Sequence, residues 1–413
     1  MKRLLYRRSA WNRPTCLLWL LALPCFPQAF TQRGFLETRF IAYPQTAPGD
    51  RGRATAESLL RYEAFFKLSP QWRLSGALDA RADSHRQVER DWRLSWQDRE
   101  VRRPAFEVRR LSVTYNEGPL TLEFGKQFIR WGKADVLNPT DRFAPRDYLA
   151  VVDNEFLAVT AGRLTIEKGS NTVDLVWQPR FTPSRLPLLN QRWVVLPEVT
   201  VHDAGARFPG GSQYGARWNH LGRGYEYSLS FFDGFNHLPL LDARLQAFPS
   251  RVDLARVYPQ MRMYGADAAV PLRFLTIKAE AAYFTSNTRQ ADNYALYVIQ
   301  LERQAGEWFF VGGYAGQAVT ASRRTFDFAP DRGLARAFLA HAGYTIDPNR
   351  SLALEAAIRQ NGNGAWTKLE YSQAFGQHWR ATAAFTLIRG SPGDFLGQYR
   401  RNSHASLTLR YSF

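Results

Sequence analysis

Cysteine is almost missing from this chain. Of 413 residues only Cys16 and Cys25 carry a thiol, and both lie within the first 25 positions. Nothing after them can close a disulfide or supply a thiolate ligand, which excludes a zinc ribbon, an iron–sulfur protein and a cysteine hydrolase. Long apolar runs are missing as well. The most apolar later stretch, 275–284, is interrupted by Lys278 and Glu280, far short of the ~20 apolar residues a helical membrane span needs. Lysine is scarce, seven of the 54 basic residues. The reaction motifs are absent too: no Gly-x-Ser-x-Gly elbow, no His-Glu-x-x-His helix and no phosphate-cradling glycine loop. The histidines, His85, His202, His220, His237, His341, His378 and His404, are scattered. No catalytic residue, cofactor or metal site is expected. Aromatics make up 14% of the chain, which excludes disorder for most of it.

What is present begins with a leader. Lys2, Arg3, Arg7, Arg8 and Arg13 precede the apolar run 16–23, then Pro24 and a Gln28-Ala29 step. This is the layout of a secretory signal peptide, expected to be cleaved after Ala29. A lipoprotein reading through Cys25 is disfavoured by Pro24, which stands where that processing needs a small residue. The chain is read as a leader over 1–29 and one barrel over 30–413. The excess of +17 does not point to nucleic acid, because arginines alternate with acids along strands rather than gathering on one surface.

After the leader the dominant period is two. Ala405, Leu407, Leu409, Tyr411 and Phe413 are apolar, and the residues between them are polar. The same alternation runs through 60–68, 72–81, 173–178, 225–231, 275–281, 352–359 and 379–387. Such strands have one apolar and one polar face. Eight short turns stand out, at 69–70, 116–119, 168–171, 221–224, 270–273, 303–306, 347–350 and 375–377, and longer polar excursions separate them. Alternating short and long connections belong to outer-membrane barrels rather than to sandwiches. Eight turns join sixteen strands. One more over Gly34–Tyr43 and one over Ser403–Phe413 give eighteen, with sixteen to twenty in range because the first strand and 90–101 carry the faintest pattern. The fold class is therefore all-β, an antiparallel transmembrane barrel of about 18 strands with short periplasmic turns and long extracellular loops. Trp72, Tyr115, Trp308 and Trp379 near strand ends fit interfacial girdles.

The terminal Leu407, Leu409, Tyr411 and Phe413 resemble the assembly signal of Gram-negative outer-membrane barrels. The stretch Gly125-Lys-Gln-Phe-Ile-Arg-Trp131-Gly132-Lys-Ala-Asp135-Val-Leu-Asn138-Pro139-Thr-Asp141 resembles a signature of uncharacterised porin-like barrel families, and Trp177–Pro187 looks like a second block of the same families. The resemblance implies an outer-membrane location after leader cleavage, contact with outer-membrane lipids and lipopolysaccharide, and insertion by the barrel-assembly machinery. Both a lipid face and a protomer interface are apolar, so homotrimer and monomer stay open.

The third long loop, 131–155, is the candidate constriction, since the third loop of trimeric porins folds into the barrel. Trp131, Gly132, Asp135, Asn138, Pro139, Asp141, Arg142, Arg146 and Asp147 are its candidate residues. Asn138-Pro139-Thr140-Asp141 reads as a turn, and Arg142 and Arg146 are expected to pair with Asp135, Asp141 and Asp147 and stiffen the loop. The competing reading is a structural loop over the rim, packed by Trp131 and Phe143. A calcium site from Asp141, Asp147 and Asp153 fits worst, because arginines interleave the acids. On the polar face the expected pore lining is Arg61, Lys67, Arg73, Arg81, Arg110, Arg180, Arg217, Lys278, Arg359, Lys368, Arg380 and Arg410. The acids Glu63, Asp79, Glu123, Asp174, Glu226, Glu280, Glu355 and Glu370 stand against them. For any single residue a cross-strand pair is the plainer role, but the surplus of cations would favour anions. The expected function is a passive outer-membrane channel for small, preferably anionic solutes. An export conduit for an acidic exopolysaccharide and a structural barrel with a closed lumen are the alternatives. The residues after 29 are too few for the about 22 strands and plug of a larger outer-membrane transporter.

Overall fold

A computed structural model of the chain describes residues 29–135, 137–195, 200–246, 251–323 and 328–413. The expected leader lies outside these residues except for Ala29. Eighteen antiparallel strands close into one barrel. The first six are β1 (Phe30–Ala42), β2 (Ala54–Lys67), β3 (Trp72–Asp83), β4 (Phe106–Glu117), β5 (Leu120–Gln127) and β6 (Val159–Lys168). Next come β7 (Asn171–Gln178), β8 (Gln213–Gly222), β9 (Tyr225–Phe235), β10 (Gln260–Pro271), β11 (Thr276–Thr285) and β12 (Asn293–Ala305). The last are β13 (Trp308–Ala321), β14 (Ala337–Asp347), β15 (Arg350–Arg359), β16 (Gly364–Phe375), β17 (Trp379–Gly390) and β18 (His404–Ser412). Each strand pairs with its neighbours in sequence, and β1 meets β18 in the register Leu36↔Tyr411 and Phe40↔Leu407. That last ladder removes both sheet edges, which would otherwise leave a row of unpaired backbone groups.

All eight short turns lie at one end of the barrel, and Gly118 in the second of them takes φ 56°, a conformation that costs glycine nothing. The alternating residues face as the period requires. Leu36, Phe40, Leu60, Leu229, Ile299, Leu354, Leu407 and Leu409 are exposed on the outward face. Near the short-turn end the expected aromatics stack across strands, Trp72 on Tyr115 at 4.8 Å, Trp308 on Tyr344 at 4.6 Å and Trp379 on Tyr411 at 5.0 Å between ring centroids.

The other end carries nine connections. The eighth, 360–363, departs from the long-loop rule. Three structures built by these loops shape the lumen. Within 84–105, Leu94–Ser95 runs parallel to Phe106–Glu107 of β4, beyond the point where β5 stops, and Trp96 Nε1 donates to Thr160 Oγ1 of β6 at 3.2 Å. This loop therefore fills the wall where β5 turns inward. Residues 201–207 pair in parallel with 251–257, which pair antiparallel with 240–246, so two loops share a three-stranded sheet above the barrel mouth. The third is the loop 128–158, and it lies inside the barrel.

Candidate functional site

The first part of the loop 128–158 is seated by one carboxylate of the barrel wall. Glu280, inward-facing on β11 and 2% exposed, accepts at Oε2 from the Lys133 and Ala134 amides (3.0 and 3.2 Å) and at Oε1 from the Thr140 amide and hydroxyl (both 2.8 Å). The turn before Asp141 forms as expected, with the Asp141 amide donating to the Asn138 carbonyl at 3.2 Å. Asp141 Oδ1 then accepts from the amides of Trp131 (2.5 Å) and Gly132 (2.7 Å), so loop donors that would be orphaned find acceptors. Trp131 Nε1 reaches Asp174 of β7 at 3.1 Å, and Lys133 Nζ meets Glu226 of β9 at 2.9 Å and Asp267 of β10 at 3.0 Å. The wall is thinned to admit the loop. A Cβ on Gly215 would stand 2.6 Å from Trp131 and 2.5 Å from Phe143, and one on Gly265 would stand 2.7 Å from Thr140. Ile129, Trp131 and Phe143 thus pack against Phe232, Met263, Phe284 and Leu296 of β9–β12 in an apolar cluster inside the lumen.

The far end of the loop is tied to the opposite wall. Asp153 pairs with Arg39 of β1 at 2.5 Å. Glu155 meets Arg81 at 2.9 Å, Arg109 at 3.0 Å and Arg61 at 3.5 Å, on β2, β3 and β4, while Asp79 holds Arg61 and Arg81 from the wall side. In an eighteen-strand ring β2 and β11 are diametrically placed, so the loop crosses the lumen. Burial alone would raise the carboxyls of Asp153 and Glu155. Arg39 outweighs it at Asp153, and Arg81 and Arg109 hold Glu155 well below the usual carboxylate range. Both side chains remain about a third accessible, 32% and 33%, so water discounts these pairs relative to fully buried ones.

A third anchor is fully buried. Lys126 of β5 meets Asp98 at 2.5 Å and Glu107 at 3.9 Å; Arg185 meets Asp98 at 2.7 Å and Asp147 at 3.2 Å; Arg103 meets Asp147 at 2.9 Å. Three cations and three acids join the loops 84–105, 128–158 and 179–212 to the β4–β5 wall. Burial works against Asp147, but Arg103 and Arg185 keep its carboxyl below the usual range. Losing one partner from such a network leaves an uncompensated buried charge, about 3–5 kcal/mol.

The remaining expected residues fall as follows. Arg110 pairs with Glu123 at 3.0 Å, Arg217 with Asp267 at 3.0 Å, Lys278 with Glu302 and, at 3.8 Å, with Asp135, Lys368 with Glu370 at 3.2 Å, and Arg410 with Glu37 at 2.5 Å. All lie on the inward face. Arg359, at the long-loop end of β15, clamps Asp394 of the last loop at 3.1 Å. Arg380 reaches Ser372 Oγ at 3.3 Å. Lys67 and Arg73 face each other across β2 and β3 at the short-turn end, both exposed. Arg180 is a correction: β7 stops at Gln178 because Pro179 has no amide for the ladder, so Arg180 sits exposed in the following loop rather than on the strand's inward face. The expected pairing inside the third loop is a second correction. Arg142 approaches Asp331 at 3.9 Å and lies over the Phe284 ring. Arg146 donates to Asn154 at 2.8 Å and Asn138 at 3.2 Å. Asp135 takes Gln300 and Lys278, while Asp141 turns to the Trp131 and Gly132 amides, Asp147 to Arg103 and Arg185, and Asp153 to Arg39, so the three do not converge on a cation. Sequence reasoning missed Arg109, the extra residue of a bulge in β4 opposite Ala77 and Leu78, which stands beside Arg110, and the buried cluster around Asp98.

The closed eighteen-strand antiparallel barrel is a fold found in outer-membrane porins. Solved structures share it: OccAB4 of Acinetobacter baumannii at 10% identity and TM-score 0.57, over 94% of this chain and 100% of that one; a BenF-like porin from Pseudomonas fluorescens Pf-5 at 9% and 0.56, over 94% and 98%; and OccAB1 of A. baumannii at 8% and 0.54, over 93% and 96%. No protein-family model and no curated protein sequence matches the chain. At these identities the likeness defines the fold.

Proposed function

We propose that the chain is an outer-membrane channel for passive diffusion of small solutes, with a preference for anions. One observation carries the reading: a loop tied to opposite walls narrows the lumen without a plug domain. Of the acids at the crossing, Asp153 and Glu155 are paired with arginines, while Glu280 and Asp141 keep their charge and hold it through hydrogen bonds from loop amides. At the short-turn mouth, by contrast, no carboxylate among the described residues lies within ion-pair reach of Lys67, Arg73 or Arg380. Uncompensated cations at a channel mouth raise the local concentration of anions. On this reading residues 1–29 are a cleaved leader, the short turns face the periplasm, and the outward face meets lipid and lipopolysaccharide. Leu407, Leu409, Tyr411 and Phe413 present the assembly signal, and the protein works as a monomer or a homotrimer. The interior apolar clusters favour one rival, a barrel whose lumen is closed. Single-channel conductance of the refolded protein in a planar bilayer, with the reversal potential under a KCl gradient, tests both. Stable conductance with chloride preference supports the proposal; cation preference removes the anion part; silence from a folded preparation leaves the closed barrel.

A further inference from the structure

We propose that Phe395 is the partition of an apolar route through the long-loop half of the lumen, passing solutes that carry an apolar body and a hydrogen-bond acceptor. The inference rests on the channel reading above. Two cavities of similar size meet at this side chain. The inner one, about 490 Å³, lies between the third loop and the β13–β16 wall; Leu137, Val151, Val311 and Trp366 give it an apolar side, and Asp141, Arg142, Asp331 and Glu355 a charged one. The outer one, about 500 Å³, lies beneath the three-stranded sheet and is faced by Leu189, Trp193, Leu241 and Leu254. Phe395 lines both. On the β1–β3 side the corresponding space is smaller, about 190 Å³, and is walled by Arg39, Glu57, Arg81 and His85. Asp153 and Asn154 of the third loop line both spaces, so the loop divides a small charged space from a larger one with an apolar side.

The backbone around Phe395 is fixed on both flanks. Asp394 accepts from Arg359 Nε at 3.1 Å and from the Leu396 amide at 2.9 Å, and Leu396 is 1% exposed. The ring lies flat against Gly333, where a Cβ would come within 2.4 Å of it, and meets Tyr399 edge-on at 5.8 Å. What remains adjustable is the ring itself, so the cavities communicate or separate according to its rotamer. The inner cavity also holds donors that no protein acceptor satisfies. Among the described residues Arg142, 7% exposed, lines it with no hydrogen-bond acceptor at Nε, and with only Asp331, 3.9 Å away and beyond hydrogen-bond reach, at Nη1; Trp366 Nε1 has no acceptor either. Buried donors without acceptors are costly, and an acceptor carried on an apolar solute would relieve them.

Proteoliposome swelling in iso-osmotic L-phenylalanine and L-serine separates the routes, because the two solutes share one zwitterionic head and differ in the side chain. The native protein, with folding confirmed by its heat-shifted migration, is expected to admit L-phenylalanine at least about threefold faster than L-serine. That lies within the roughly tenfold that 1.4 kcal/mol of apolar contact provides and opposes the order of size. Phe395→Ala is expected to admit L-serine at least as fast as L-phenylalanine. Phe395→Trp is expected to slow L-phenylalanine at least about threefold while KCl conductance stays within about twofold of native. Phe395→Leu, close in volume, serves if the alanine variant does not fold. Native rates that follow size, or variants that leave both rates unchanged in a conducting preparation, would overturn the partition alone. Absence of KCl conductance in folded native protein would overturn the channel reading beneath it.

Discussion

Replacing Glu280 with glutamine should unseat the third loop while barely changing its volume. Each carboxylate oxygen accepts from two loop groups, Lys133 and Ala134 at one, the Thr140 amide and hydroxyl at the other. Whichever way the new amide turns, its NH2 faces two donors and accepts from neither. Two charge-assisted hydrogen bonds at a residue 2% exposed are lost, each worth about 1.5–3 kcal/mol, so roughly 3 kcal/mol remains after the side chain relaxes. That shifts the equilibrium between seated and released loop by about a hundredfold. Arg142 and Arg146 lie in the seated segment and are shielded from trypsin. If opening is fast relative to cleavage, the rate of cutting at these sites tracks the open population. Mass spectrometry of the folded barrel should then show cleavage after Arg142 and Arg146 rising by about two orders of magnitude in E280Q. A rate within about twofold of native would refute the account of the seat.

Gly265→Val places methyl groups against Thr140, where a Cβ already has only 2.7 Å; such overpacking costs about 1–3 kcal/mol, which proteolysis at the same two sites would register as a smaller release than E280Q. The far anchor and the buried one respond to pH in the same direction. The folded-state carboxyls of Asp147, Asp153 and Glu155 are depressed, so their contribution is fully present above the ordinary value of about 4 and is lost as pH falls through the folded values. Conductance should therefore hold steady from neutrality to about pH 4.5 and change only below it. His85 has the opposite sign: burial lowers it, but Glu57 at 3.2 Å and Asp83 at 3.4 Å raise it above its usual value. Its stabilisation is present below about pH 6.5 and is lost as pH rises through the folded value, and Glu57→Gln should lower the midpoint in an NMR titration. Neutralising Lys67, Arg73 and Arg380 together should reduce chloride preference in the reversal potential without altering unitary conductance by more than about twofold.

The strands and all eight short turns were legible because alternation and turn chemistry are local signals. Trp379–Leu387 can have only one face outward, and Lys168-Gly169-Ser170-Asn171 can do little but turn. The destination of the third loop was not legible, since its partners are scattered along the chain with no local pattern: Trp131 and Asp174 are separated by 43 positions, Thr140 and Glu280 by 140. A signal was nevertheless present. At Leu296-Tyr297-Val298-Ile299 and Phe231-Phe232 the alternation fails and inward positions turn apolar, as they must where a loop packs against the inner wall. Arg109 was hidden by a bulge, which shifts the face of every residue beyond it without marking the sequence. Arg180 was misplaced by following the period past Pro179.

Both natural cysteines fall within residues 1–29, so a chain starting at residue 30 offers a clean background for the most direct test. Val152, partly buried on the third loop, faces the inner cavity. The measurement is the single-channel current of Val152→Cys during exposure to a charged thiol reagent, with Leu175→Cys on the outward face of β7 as control. The account predicts a discrete change in unitary current at position 152 and none at 175. Complete labelling at 152 with an unchanged current would contradict the claim that the third loop lies in the conducting path.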